Sequence, residues 1–112
     1  MSLQAQQAVF SALFAHLVLY ANQLGYQAVI AEVARTKEQQ ALYVQQGKSA
    51  TMRSQHLQRL AGDLLLFKDG VYLKESAAYG ALGAYWEGLD RHNVWGGRWA
   101  SFPDGNHFEY RA

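Results

Sequence analysis

Ser54-Gln55-His56-Leu57-Gln58-Arg59-Leu60-Ala61-Gly62-Asp63-Leu64-Leu65-Leu66-Phe67-Lys68-Asp69-Gly70-Val71-Tyr72-Leu73 runs from a polar segment into an apolar one, turns, and returns. Leu60 to Phe67 is almost entirely apolar and reads as a strand. Lys68-Asp69-Gly70 is a hairpin turn, because Gly accepts positive φ there. Val71 to Leu73 is the returning strand, so the sheet is antiparallel.

Upstream, residues 3–24 read as an amphipathic helix. Val9, Leu13, Leu17, Tyr20 and Leu24 recur at three- and four-residue spacing, with Phe10, Phe14 and Val18 beside them. Gly25 is the C′ stop, and His16, near the apolar stripe, reads as structural. Tyr26 to Ala34 is a strand. Thr36 opens a second helix with Gln39 as its capping-box partner, running through Leu42 and Tyr43 to Gly47. Residues 47–55 form a loop. Downstream, Ser76 caps a third helix with Leu82, Tyr85, Trp86 and Leu89 on its apolar face. Beyond Arg91 come Trp95-Gly96-Gly97, a short strand at Arg98-Trp99, a Pro-Asp-Gly turn, and a last strand from His107 to Tyr110. No repeat, linker or low-complexity tract interrupts this order. The expectation is one α+β domain over residues 1–112, a small antiparallel sheet packed with about three helices.

Composition narrows the function classes. Half of the residues (50%) are apolar, enough for a core without staples. There is no cysteine, which excludes disulfides and thiolate zinc clusters and leaves His, Asp and Glu as metal ligands. The net charge of +1 argues against nucleic acid as a partner, and the Lys and Arg residues near 48–59 are too sparse to change that. Ala8 to Ala21 is apolar, but the first basic residue is Arg35, so the basic n-region of a signal peptide is missing. Ser11 and His16 interrupt the run, which falls short of the roughly 20 residues of a membrane span. The expectation is a monomer without a membrane span, made in the cytoplasm without a signal peptide.

Two segments hold the residues that can do chemistry, Ser54 to Asp63 and Pro103-Asp104-Gly105-Asn106-His107-Phe108-Glu109. Zinc accepts neutral imidazole and carboxylate, and catalytic sites use three protein ligands and keep one position open. His56, Asp63 and His107 satisfy that count. His56 and Asp63, seven apart, would lie roughly 23 Å apart on one straight strand and about 10 Å apart on one helix. The chain must therefore bend between Leu57 and Leu60. Alternation sets Asp63 on one sheet face with Ala61, Leu65 and Phe67, where a carboxylate needs a partner to offset desolvation. Taken singly, His56 and His107 read equally as surface or hydrogen-bonded histidines, and Asp104 as a turn former.

The two segments together resemble the zinc peptidases that cleave D-alanyl-D-alanine or L-alanyl-D-glutamate bonds, the group that includes phage endolysins and the vancomycin-resistance dipeptidases. Their signature Ser-x-His-x-x-Gly-x-Ala-x-Asp is matched at Ser54, His56, Ala61 and Asp63, and Arg59 stands where Gly is usual. Their second signature, an acid three residues before a His, is matched by Asp104 and His107. Asp rather than Glu as that acid points to the endolysin side. Ala34-Arg35-Thr36 followed by Gln39 is similar to a third family motif. The resemblance implies a hedgehog/D-Ala-D-Ala-peptidase-like fold. It implies zinc held by His56, Asp63 and His107, Asp104 as the catalytic proton carrier, and Arg35 touching substrate and stabilising the transition state. A fixed guanidinium suits that role, since its forked donors match a carboxylate or developing oxyanion.

Ser54 and Trp95 are further substrate-binding candidates. Ser54 reads equally as a local cap, and Trp95 and Trp99 as core aromatics. Glu109, two residues after His107 and so on the same strand face, is the rival to Asp104. Asp90 and His92 read as solvated. The leading expectation is hydrolysis of a peptidoglycan stem peptide between L-Ala and D-Glu by an endolysin that reaches the wall after release. The alternatives are a D-Ala-D-Ala carboxypeptidase and a non-catalytic module that binds wall peptide or sits in a virion.

Overall fold

The computed structural model describes residues 1–112. Its elements are α1 (Leu3–Gln23), β1 (Gln27–Ile30), α2 (Lys37–Gln45), β2 (Ala61–Lys68), β3 (Val71–Leu73), α3 (Gly80–Leu89), β4 (Asn93–Trp95) and β5 (His107–Tyr110). Short 3₁₀ turns span Gln55–Gln58, Ser76–Tyr79 and Gly96–Arg98. The architecture is α+β. All strand pairs are antiparallel, in the order β1-β2-β5-β4, with β3 also on β2. No helix is long and apolar enough to cross a membrane.

Strand β2 organises the sheet because its two halves pair differently. Residues 64–67 pair with β1, and 61–63 pair with β5. Asp63 stands where the partners change, directly opposite His107. The β2–β5 ladder bonds fall at Leu64–Asn106 and Leu60–Tyr110 (both 2.9 Å). By the two-residue period, Asp63 and His107 form a non-hydrogen-bonded pair, the type whose side chains approach most closely. On its other edge Asp63 faces a bulge. Its C=O accepts from Ala31 N–H while its N–H donates to the Glu32 carbonyl, each at 2.9 Å, so two residues oppose one. This bulge ends β1 at Ile30, short of the expected Ala34, and releases Arg35 toward β2's neighbouring loop.

The core lies between the sheet and the two long helices. Phe10, Phe14, Leu17 and Ala21 form the buried stripe of α1, at spacings of three and four. The stripe is turned from the one expected, with Val9, Leu13 and Val18 at its flanks and Leu24 and His16 exposed. The aromatic side chains win the central positions because they bury the most apolar area. Leu64 and Leu66 point into this core, while Asp63, Leu65 and Phe67 stand half-buried on the other face. In β5, Phe108 and Tyr110 belong to the core and His107 and Glu109 point away from it.

Two local expectations are corrected. Ser76 does not cap α3; its hydroxyl accepts from Gly105 N–H at 3.0 Å, tying the segment to the Asp104 turn. The short strand lies at Asn93–Trp95 rather than Arg98-Trp99, because Gly96–Arg98 curls into a 3₁₀ turn. Gly96 is required there: a Cβ would stand 2.5 Å from the Asp104 carbonyl oxygen.

Candidate metal centre

His56 sits in the 3₁₀ turn, whose first N–H groups need a cap. Ser54 supplies it, its hydroxyl accepting from His56 N–H at 3.2 Å. Arg59 then adopts the left-handed conformation (φ 57°, ψ 40°) and directs the chain into β2. That is the bend the spacing demands, and it brings His56 Nε2 to 3.2 Å from Asp63 Oδ1. The cross-strand pairing brings His107 Nδ1 to 3.3 Å from the same oxygen. One ligand atom from each of the three residues lies within 4.8 Å of the others.

The outer ring nitrogens decide what those inner atoms can be. His56 Nδ1 faces the Val33 carbonyl at 2.8 Å, and His107 Nε2 faces Glu109 Oε1 at 2.7 Å. Both partners accept only, so each outer nitrogen carries its proton and each neutral ring turns a lone pair inward. Two lone pairs and a carboxylate oxygen then converge, an arrangement that requires a cation or a proton between them. The three residues therefore fit a metal with imidazole and carboxylate ligands. Glu109, the rival to Asp104 in the sequence, backs His107 through this bond. Arg111 Nε donates to the second Glu109 oxygen.

Titration follows the same contacts. Burial raises the Asp63 carboxyl, but its hydrogen bonds to His107 and His56 win and hold it at about 2. Burial pulls His107 down, but Asp63 and Glu109 push it up to about 9 in the metal-free protein. Asp104 is raised, first by burial and also by the Asp63 charge, against the pull of His107. Its carboxylate makes no hydrogen bond or ion pair, and it lines the same polar pocket of about 400 Å³ as the three residues above.

Arg35 also lines that pocket, but it is heavily engaged. Nε and Nη2 both donate to Glu32 Oε1, and Nη1 donates to Gln40 Oε1 at 2.7 Å and to Ser54 Oγ at 3.3 Å. Its guanidinium lies 4.6 Å from the Tyr43 ring centre. One of its five N–H groups remains uncommitted. Ser54 thus serves both as a local cap and as an Arg35 partner. Gln40, fully buried, is the α2 residue that holds Arg35, whereas Gln39 contributes its backbone N–H to the Thr36 cap. A pattern match to Gln39 could not reveal this.

Trp95 is corrected as a substrate residue. It is buried in the core, donates from Nε1 to the Gly105 carbonyl at 2.7 Å, and packs where Gly83 lacks a Cβ. Trp99 lines the pocket instead, 5.0 Å from the His107 ring. Asp90 and His92 pair with each other, away from the pocket.

This fold and site define a small α+β protein with a His-Asp-His cluster in an open polar pocket. The peptidase M15 family model described as D-alanyl-D-alanine carboxypeptidase matches residues 47–110, and the chain belongs to that family. It is 36% identical over 91 residues to the L-alanyl-D-glutamate peptidase of Listeria phage A118, a match taking in 77% of this chain and 31% of the relative. The chain thus spans about a third of the length of the curated relative it matches. The crystal structure of the Serratia marcescens L-Ala D-Glu endopeptidase ChiX superposes with a TM-score of 0.70 at 27% identity, over 89% of this chain and 78% of that one.

Proposed function

We propose that residues 1–112 form one zinc peptidase domain that hydrolyses the bond between L-Ala and D-Glu in wall peptides, acting as a monomer in an endolysin. The convergence of His56 Nε2, Asp63 Oδ1 and His107 Nδ1, with both outer nitrogens tied to acceptors, carries this reading. The names of the phage relative and of the Serratia enzyme support the bond, and the phage relative supports the endolysin role.

His56, Asp63 and His107 would hold the zinc. When bound, zinc supplies Lewis acidity to the scissile carbonyl and lowers the pKa of water toward 7. Asp104 takes the proton at its free carboxylate and passes it to the leaving amine. Its burial raises its proton affinity, which suits the first transfer, the uptake of the proton. Arg35 offers its remaining N–H to developing negative charge, and its ties to Glu32, Gln40 and Ser54 keep it fixed. Trp99 walls one side of the pocket.

The test is mass spectrometry of purified peptidoglycan incubated with zinc-loaded protein and with a chelated control. New amino termini at D-Glu, absent in the control, are expected. The family description favours one second reading, a carboxypeptidase, which would release D-Ala alone. No cleavage with zinc bound would reduce the chain to a binding module.

A further inference from the structure

The charged groups around the pocket divide into engaged and free. Arg35 is held by Glu32, and Arg111 by Glu109. Asp63 is shared by the two histidines. Lys48 and Arg53 line the same pocket, and neither side chain makes an ion pair or a hydrogen bond. Two positive charges are therefore uncommitted on one wall.

That wall is braced although its cations are exposed. Lys48 and Ser49 N–H groups donate to the Tyr43 carbonyl at 2.8 and 3.2 Å, anchoring the loop on the end of α2. The buried Gln40 amide donates to Ser49 Oγ at 2.9 Å and to the Thr51 carbonyl while accepting from Arg35. Arg53 N–H donates to Thr51 Oγ1 at 2.9 Å. The loop backbone that carries both cations is thus tied to α2 and to the Gln40 side chain that also holds Arg35, which lowers the ordering cost of binding an anion there.

The chemical class of that anion follows from the proposed reaction, on which this step rests. A glutamyl residue after the cleaved bond has two carboxyl groups, and the chain continues through at most one. The leaving fragment therefore carries a free carboxylate. We propose that Lys48 and Arg53 form a subsite for that carboxylate and select acidic leaving fragments over amidated ones. A terminal D-alanine presents the same group, so the shared ligand chemistry is a carboxylate on the leaving side.

The test reads binding without cleavage. Tryptophan fluorescence, with Trp99 at the pocket, follows titration of zinc-loaded protein with D-glutamate, with its α-amide D-isoglutamine, and with D-alanine. Wild type is expected to bind D-glutamate roughly tenfold tighter than its amide, as a partly screened charge-assisted contact would give. The Lys48→Met, Arg53→Met double variant should lose that difference and keep its affinity for the amide. Arg53→Lys should keep most of the difference, and added salt should erode it in wild type. Loss of D-alanine binding in the double variant, with D-glutamate binding weak throughout, would keep the subsite and assign it to a terminal alanine. Equal binding of acid and amide by wild type, a difference that survives in the double variant, or no binding of any carboxylate overturns the subsite. Failure of the peptidase reading shows separately, as wall digests without new termini while fragment discrimination persists.

Discussion

His56 and His107 reach the same carboxylate oxygen from supports of different kinds. His56 stands in an irregular turn, 1% exposed, and its outer nitrogen is held by a backbone carbonyl. His107 stands in a regular strand, and its outer nitrogen is held by the Glu109 side chain. A carbonyl is neutral and cannot be lost by substitution, so it fixes a tautomer and adds no charge. A carboxylate fixes the tautomer and makes the ring more basic. The His107 pKa is pushed up, to about 9. One half of the site is set by chain geometry, and the other is tuned by charge.

The widest effects come from removing the shared element. On the zinc reading, Asp63→Ala and His107→Ala should each lose the metal, measured by elemental analysis after dialysis, and with it all turnover. Asp104→Asn should break the symmetry between binding and chemistry. Metal content should stay at the wild-type level while kcat falls by about 10²–10⁴-fold, the usual worth of a positioned proton carrier. A variant that lost metal as well would make Asp104 a ligand rather than a proton carrier.

Glu109→Gln tests the difference between the two histidines directly. It should weaken zinc binding by about 10–100-fold, read by competition with a chromogenic chelator, because outer-shell partners of ligating histidines carry about that much. Glu109→Ala should weaken it further. No change in either would mean that strand geometry alone orients His107, as backbone geometry orients His56.

The pH dependence separates the two supports in the metal-free protein. His107 is raised from its ordinary 6.5 to about 9. Its stabilising contribution is complete below 6.5 and is lost as pH rises through about 9. Asp63 is lowered from 3.8 to about 2, so its contribution is present above 3.8 and is lost as pH falls through about 2. Chelated protein should therefore melt highest between these limits. Zinc binding near pH 7 should release about one proton, since His107 must give up the proton facing Asp63. Calorimetric titration in buffers of different ionisation enthalpy measures that number. Release of none would mean that His107 is already neutral in the metal-free protein.

How much of this was readable beforehand follows the same division. The β2–β3 hairpin, α1 and the last strand were legible because each has a local signal, a period or a Gly turn. The bulge at Ala31–Glu32 was not, since nothing in those residues announces which carbonyl Asp63 will use. Glu109 was placed on the correct face by its two-residue spacing, but its bond to His107 is a side-chain geometry that spacing alone does not specify. Trp95 and Trp99 look alike in sequence. Only the 3₁₀ turn between them, made possible by Gly96, sends one to the core and the other to the pocket.

The smallest expected effect falls on Arg59, the left-handed residue that ends the 3₁₀ turn. Its φ of 57° and ψ of 40° are left-handed, a conformation that costs a residue with a side chain about 1–2 kcal/mol and costs Gly little. The turn cannot relax out of it. The His56 carbonyl accepts from both Arg35 and Arg59 N–H groups, at 3.1 and 3.2 Å, and Leu60 N–H returns to the Gln55 carbonyl at 3.0 Å. Those bonds throw Leu60 into the core and hold His56 against Asp63. Arg59→Gly should remove the strain and return part of it as entropy of the unfolded chain, for a net gain of about 0.5–1 kcal/mol. That corresponds to a rise in Tm of a few degrees for a domain of this size. Arg59 is exposed and lies outside the pocket lining, so kcat/KM should not move. A change in kcat/KM would mean that the αL residue sets the aim of His56 as well as the path of the chain, and that the irregular half of the site is tuned after all.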